Sequence, residues 1–334
     1  MPAELLPRGV SVDALPVYVE ALPKTLPAHA HAALNFAVMT AVPHEPTVPV
    51  FYVHPRDLEQ HGLPHWLRGC NRVGRVHPTG MRELERRGLS RLMREEPVAQ
   101  RSLPALLDDV GACRLRLMKV DVEGLDAALV LAYVAYLWAR PSCHADLVRW
   151  EDTLFEDAER SEQQRAQEVT MAALATVGYA REGMWRSGND PILPYRAACD
   201  ERLTRPAAAA GKRHWPPESM ATLLRTRPTP PPLGGSMPEA QAPYACRPFL
   251  RPGDAEWLLT LEPSVVAEFF REWGGGAQQG EGEGCPPPPP PRAAPRGMVL
   301  PTIEFLMTET CYSDVHHTLR PDGEEFVKCA GRGV

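Results

Sequence analysis

Along the first 200 residues the apolar positions follow two rhythms: short runs of β-branched and aromatic residues, and longer stretches with helical spacing. The runs "LPVYVE" (15–20), "TVPVFYVHP" (47–55), "CRLRLMKVD" (113–121) and "HADLVRWE" (144–151) predict strands. Between them "AHAHAALNFAVM" (28–39), "GMRELERRGLSRLM" (80–93) and "LDAALVLAYVAYLWA" (125–139) predict helices, the last nearly all apolar. A further helix is expected over "SEQQRAQEVTMAALATVGY" (161–179), started by Ser161 and stopped by Gly178. The stretch "GMWRSGNDPILPYR" reads as a hairpin turning at Ser187, Gly188, Asn189 and Asp190. Strands that alternate with helices imply parallel pairing. The expected class is α/β, with a doubly wound, mostly parallel sheet and an antiparallel hairpin at its end.

The pattern changes after residue 200. Of the 37 prolines, 19 fall between 201 and 300, and "GGGAQQGEGEGCPPPPPP" (274–291) is glycine-rich and then polyproline. Consecutive prolines favour an extended helix without internal hydrogen bonds. Three regions follow: a domain over 1–200, a Pro/Gly-rich irregular or linker region over 201–297, and a tail over 298–334. The polyproline run is a candidate ligand for an SH3- or WW-type partner.

Composition narrows the function classes. The net charge of −6 and the lack of a basic stripe interleaved with aromatics speak against nucleic-acid binding. The longest apolar stretch, 128–139, is too short to span a bilayer, and the N-terminus carries no signal-peptide pattern. A soluble, cytoplasmic protein without membrane contact is expected. The eight cysteines are spread singly, which predicts reduced, structural thiols. "CYSDVHH" (311–317) has no partner cluster at ligand spacing, so no metal site is expected.

Chemistry concentrates in "LMKVDVEGLD" (117–126). In an open α/β sheet ligands sit outside the carboxyl ends of the strands, so reactive side chains appear where a strand emerges. With a period of two, Lys119, Asp121 and Glu123 share a face if extension persists to 123, and Gly124 permits a sharp exit. The plainer alternative is a strand leaving into a polar loop, with Lys119 paired to an acid. A second cluster, "HGLPHWLRGCNRVGRVHPTG" (61–80), has the mixture of a functional loop. His61, His65, Arg68, Asn71 and His77 are candidates to recognise a substrate, with one histidine, His65, as base.

"LMKVDVEGLDAAL" resembles the signature of FkbM-type, S-adenosylmethionine-dependent O-methyltransferases, in which a strand reads roughly K-I-D-V-E-G-x-E; Asp126 stands here for the usual Glu. "VYVEALP", "ALNFAV", "SLPALLDDVGACRLRLMKVD", "ADLVRWE", "LATVGY" and "GNDPIL" fall in the family's order, so the resemblance covers about 15–196. It implies a Rossmann-like sheet that binds S-adenosylmethionine and transfers a methyl group to an oxygen of a small-molecule acceptor. It also implies that Glu20 binds the cofactor ribose, that Asp121 and Glu123 line the cofactor mouth, that Asp121 is a candidate base, and that Glu151 ends the next strand.

Such folds begin with a strand and a glycine-rich turn that lets the backbone approach the cofactor. Only Gly9 precedes Gly62, and 14 residues precede the strand expected at 15–20. The first strand-helix unit is therefore expected to be missing, leaving a truncated domain whose cofactor site is incomplete and inactive. The rival reading is a non-catalytic interaction protein on a degenerate methyltransferase fold, using the proline-rich segment for partners.

Overall fold

Pro16 decides how the chain begins. A proline fits the first turn of a helix, where its missing N–H costs nothing, and in the computed structural model Pro16–Val19 is a short helix, α1. The strand before it is β1, Arg8–Asp13. The structure describes residues 8–21, 31–110, 115–140, 143–151, 160–181, 185–187, 190–197, 249–277 and 303–307. The strand expected at 15–20 thus lies earlier, because Pro16 opens a helix and the Asp13 carboxylate turns the chain by accepting the Leu15 N–H at 2.8 Å.

The helix expected over 28–39 is instead two strands, β2 (His31–Asn35) and β3 (Ala37–Met39). Alanine favours a helix only weakly, and here β1 offers a parallel ladder from Gly9↔His31 to Asp13↔Asn35. There follow β4 (Thr47–Val53), helix α2 (Pro55–Gln60), a 3-10 turn at His65–Gly69 and β5 (Arg72–Val73). Helix α3 (Pro78–Arg86) ends seven residues before the expected limit. Strand β6 (Met93–Ser102) was not legible: "MREEPVAQRS" is mostly polar, and its pairing along the whole of β4, from Thr47↔Ala99 to Val53↔Met93, makes it a strand. Helix α4 (Leu103–Val110), β7 (Leu115–Val120), helix α5 (Asp126–Ala139), β8 (Ala145–Glu151) and helix α6 (Arg160–Thr176) follow as an α/β alternation. Strands β9 (Tyr179–Arg181), β10 (Trp185–Ser187) and β11 (Asp190–Ala197) come next, the last two forming the expected hairpin with Ser187 opposite Asp190.

The stretch 201–297, expected to be irregular, contains helix α7 (Asp254–Leu258) and helix α8 (Pro263–Ala277). Residues 303–307, expected in a tail, form strand β12. The polyproline run and the cluster at 311–317 lie outside the described residues.

Among the described residues the larger sheet has the order β10-β11-β8-β7-β12-β1-β2, with β9 also on β11. Strands β8, β7, β12, β1 and β2 are mutually parallel, and β11 is antiparallel to β8. A smaller sheet runs β3-β6-β4-β5. The chain is therefore an α/β protein with a mostly parallel main sheet. The expected gap at its first strand is not a gap: β12 lies between β7 and β1.

Helix α5 carries apolar residues all round because it is enclosed all round. It packs on β7 and β8, between α4 and α6, and under α7 and α8. Tyr136 ties the layers: its ring stacks on Phe249 at 6.4 Å, and its hydroxyl donates to Asp108 Oδ1 at 2.8 Å beside the Arg140–Asp108 ion pair. Burial, and then the Asp108 charge, push the Tyr136 phenol well above its usual range. Tyr133 and Tyr179 satisfy the start of β8: the Tyr133 hydroxyl accepts the Ala145 N–H at 2.7 Å, and Tyr179 donates to the Ala145 carbonyl at 2.7 Å. Cys143 is buried and disulfide-bonded, where the scattered cysteines had led us to expect reduced thiols. No helix among the described residues is long and apolar enough to cross a membrane.

Phe270 is fully enclosed in the main core. Phe270→Ala is expected to cost about 3–5 kcal/mol in urea unfolding; a loss below about 1 kcal/mol would mean that α8 is an appendage and not a third layer.

Candidate functional site

The carboxyl ends of five parallel strands lie along one sheet edge, and they bring Asp13, Asn35, Asp121 and Glu151 there from distant parts of the sequence. Register fixes the relation between the two aspartates. Ser11 of β1 and Lys119 of β7 both pair with Leu306, so Asp13 and Asp121, each two residues further on, flank the end of β12 at the same level. Two strand spacings separate them by roughly 10 Å at Cα.

Asp13 is buried. Asn35 steadies the turn after it, its side-chain amide donating to the Asp13 carbonyl at 3.1 Å and the Ala14 carbonyl at 2.9 Å. On the other side Lys119 Nζ pairs with Asp121 Oδ2 at 2.9 Å, with both side chains nearly enclosed. The pairing of Lys119 to an acid, one of the two outcomes open from sequence, is therefore present. Strand β7 ends at Val120, so Asp121 is the first residue of the loop into which the strand leaves, as that plainer alternative had it.

The chain then turns sharply. Glu123 has φ of 43° and Gly124 a φ of 93°, both in the left-handed region. For a glutamate that conformation costs on the order of 1 kcal/mol, so something must hold it. Asp126 does so: its carboxylate accepts the Val122 and Gly124 N–H groups, each at 3.1 Å. Burial, and then the charges of Asp121 and Glu123, push the Asp126 carboxyl up to about 8 against the opposing effect of the two N–H bonds.

The polar loop folds back onto this tip. His77 caps α3 by accepting the Gly80 N–H on Nδ1 at 3.2 Å, and its Nε2 lies 3.4 Å from Glu123 Oε2. With Nδ1 accepting, the neutral ring carries its proton on Nε2, toward Glu123. Gly69 sits so close that a Cβ there would lie 3.7 Å from Glu123 Oε1. The Arg68 carbonyl accepts from Asn71 Nδ2 at 3.0 Å and from the Tyr18 hydroxyl at 3.2 Å, tying the 3-10 turn to α1. Asn71 Oδ1 and Arg68 Nε are buried without a hydrogen-bond partner among the described residues.

The structure brings His77 of the loop against Glu123 of the strand tip, joins Arg68 to Asn71 within the loop, and pairs Asp121 with Lys119. His61 closes α2, and His65 is exposed at the start of the 3-10 turn; the contacts that define the cluster run through the other loop residues instead. Glu20 is exposed at the end of α1, so the acid at the end of β1 is Asp13. Glu151 ends β8. Sequence reasoning missed Asp13, Asn35 and Asp126 as site residues. The alternation in "GVSVD" followed by a proline was the available signal for Asp13. Among the described residues no group of three or more His, Cys, Asp or Glu side chains is arranged to hold a metal ion.

No protein-family model, curated protein or solved structure matches the chain.

The Asp126 carboxyl makes a pH prediction. An unfolded aspartate titrates near ~3.9, so folding takes up a proton at pH values between that and about 8, and stability declines across this window as pH rises. Asp126→Asn should flatten the decline. Urea unfolding at about pH 5 and about pH 8.5 reads it, and an equal slope in both proteins would contradict the buried, protonated carboxyl.

Proposed function

We propose that this chain is an S-adenosylmethionine-dependent O-methyltransferase-like protein that binds the nucleoside end of its cofactor across the strand ends of β1 and β7. The observation that carries the reading is the pair of buried aspartates, Asp13 and Asp121, on either side of the strand-order reversal. Taken from β2, the order β2-β1-β12-β7-β8 has the 3-2-1-4-5 form of a Rossmann-like sheet if β12 stands in for the first strand. In that form ligands bind where the order reverses. The likeness of "LMKVDVEGLDAAL" to the FkbM-type signature supports the same choice of cofactor.

In this reading Asp13 takes the ribose-binding role that the resemblance gives to Glu20. A carboxylate there accepts both ribose hydroxyls, as an acid does in dinucleotide sites. Asp121 engages Lys119 through Oδ2, and its Oδ1 is the oxygen assigned to the methionine end. Glu123 and His77 hold the polar loop over the mouth, with Arg68 and Asn71 beside them for the small-molecule acceptor. His65, exposed at the start of the 3-10 turn, is the candidate base from the acceptor side. The fit to the cofactor is partial. The acids suit its polar ends, but no glycine lies between Met298 and Asp322, so the sequence after β12 has no residue that admits the backbone closely.

The missing glycine turn is the specific observation that favours the second reading, a non-catalytic interaction protein on the same fold that uses its polyproline run for an SH3- or WW-type partner. Calorimetry with S-adenosylmethionine and S-adenosylhomocysteine separates the two. The first reading expects saturable heat, weakened about tenfold or more by Asp13→Ala or Asp121→Asn and changed less than about twofold by Glu20→Ala. Absence of heat with the intact chain would leave the interaction protein.

A further inference from the structure

The main sheet is joined across its middle by its most remote segment. Strand β12 is parallel-paired on both sides, with β1 from Arg8↔Ile303 to Val12↔Met307 and with β7 from Ile303↔Leu115 to Leu306↔Lys119. Strand β1 keeps β2 as its other neighbour, and β7 keeps β8. The slot between β1 and β7 therefore lies between two units that each hold a strand pair of their own.

We infer that β12 is a detachable strand: the slot between β1 and β7 receives residues 303–307 reversibly while α5, α6 and β8 stay folded. Four observations carry this. The strand is five residues long. Chain length isolates it, since α8 ends at Ala277 and 25 residues (278–302) come before Ile303, so that its departure drags no other described element. Its ladder with β7 is irregular where the strand begins, with the register shifting between Ile303 and Glu304 so that Arg116 is passed over. Such a bulge leaves one residue unpaired and loosens the ladder locally. Glutamate, the second residue of β12, is also depleted in strands. Parallel strand addition rests on main-chain hydrogen bonds, so the slot is a β-augmentation cleft already loaded with a segment of its own chain. The inference stands apart from the cofactor reading, because it concerns only which strand pairs come apart.

Hydrogen exchange on the intact chain tests it. A central strand is ordinarily among the last to exchange; here the amides of 303–307 should exchange at least about a hundredfold faster than those of β8 and α5. Phe305→Pro, which removes a mid-strand donor, should then deprotect β1 and β7 on their facing edges and leave α5 and β8 protected. Two results would overturn the inference: protection of β12 equal to that of β8 in the unmodified chain, or loss of α5 protection in Phe305→Pro, which would make β12 inseparable from the global fold.

Discussion

Parallel pairing of β12 with β1 on one side and β7 on the other is the constraint from which the rest of the arrangement follows. It sets the two halves of the sheet in register, and register in turn sets which side chains share an edge. A slip of one residue on either ladder would move Asp13 or Asp121 to the opposite face. Because a parallel ladder cannot be closed by a short turn, the halves are connected by long crossovers. The strand that joins them comes from beyond α8. Main-chain geometry thus brings together acids that lie more than one hundred positions apart in the chain (Asp13 and Asp121).

Electrostatics acts on top of that frame at short range. Lys119 balances Asp121 inside the sheet edge, and Asp126 accepts the N–H groups of the turn that Glu123 and Gly124 strain. With a carboxyl pushed up to about 8, Asp126 holds a proton at neutral pH, which spares the tip a further negative charge beside Asp121 and Glu123. His77 links the same tip to α3 by using both ring nitrogens. The polar loop is consequently fastened to the strand end through His77 and Glu123, and to α1 through the Arg68 carbonyl.

The parts legible in the sequence were those in which local pattern and tertiary context agree. Strands β4, β7 and β8, the enclosed α5, helix α6 (which begins at Arg160, so that Ser161 lies inside it and does not cap it) and the β10–β11 hairpin fall within a few residues of their expected limits. Where the two conflict, context prevails. Alanines at 32 and 33 extend because β1 offers a ladder, and polar β6 extends because β4 does. Glu20 drew attention as an acid after an apolar run, yet Pro16 opens a helix and the strand ends at Asp13, so the acid at the strand end lies seven residues sooner. The apolar run of Ile303, Phe305, Leu306 and Met307 is compatible with a strand, but nothing local places it at the centre of the sheet. Its position in the sheet is set by partners almost two hundred positions away in β7 and three hundred in β1. The layer of α7 and α8 was hidden for a different reason: proline and glycine around it set the apparent character of the whole region.

The placement of β12 is tested most directly by cysteine cross-linking in the register of the sheet. Neighbouring parallel strands lie about 4.8 Å apart, within the Cα range of a disulfide, whereas strands two apart are roughly 10 Å away and out of reach. The chain carrying Ser11→Cys and Leu306→Cys should therefore oxidise to an 11–306 link, identified by peptide mass mapping, while Ser11→Cys with Lys119→Cys should not close. A link between 11 and 119, with none between 11 and 306, would put β1 directly beside β7 and contradict the account.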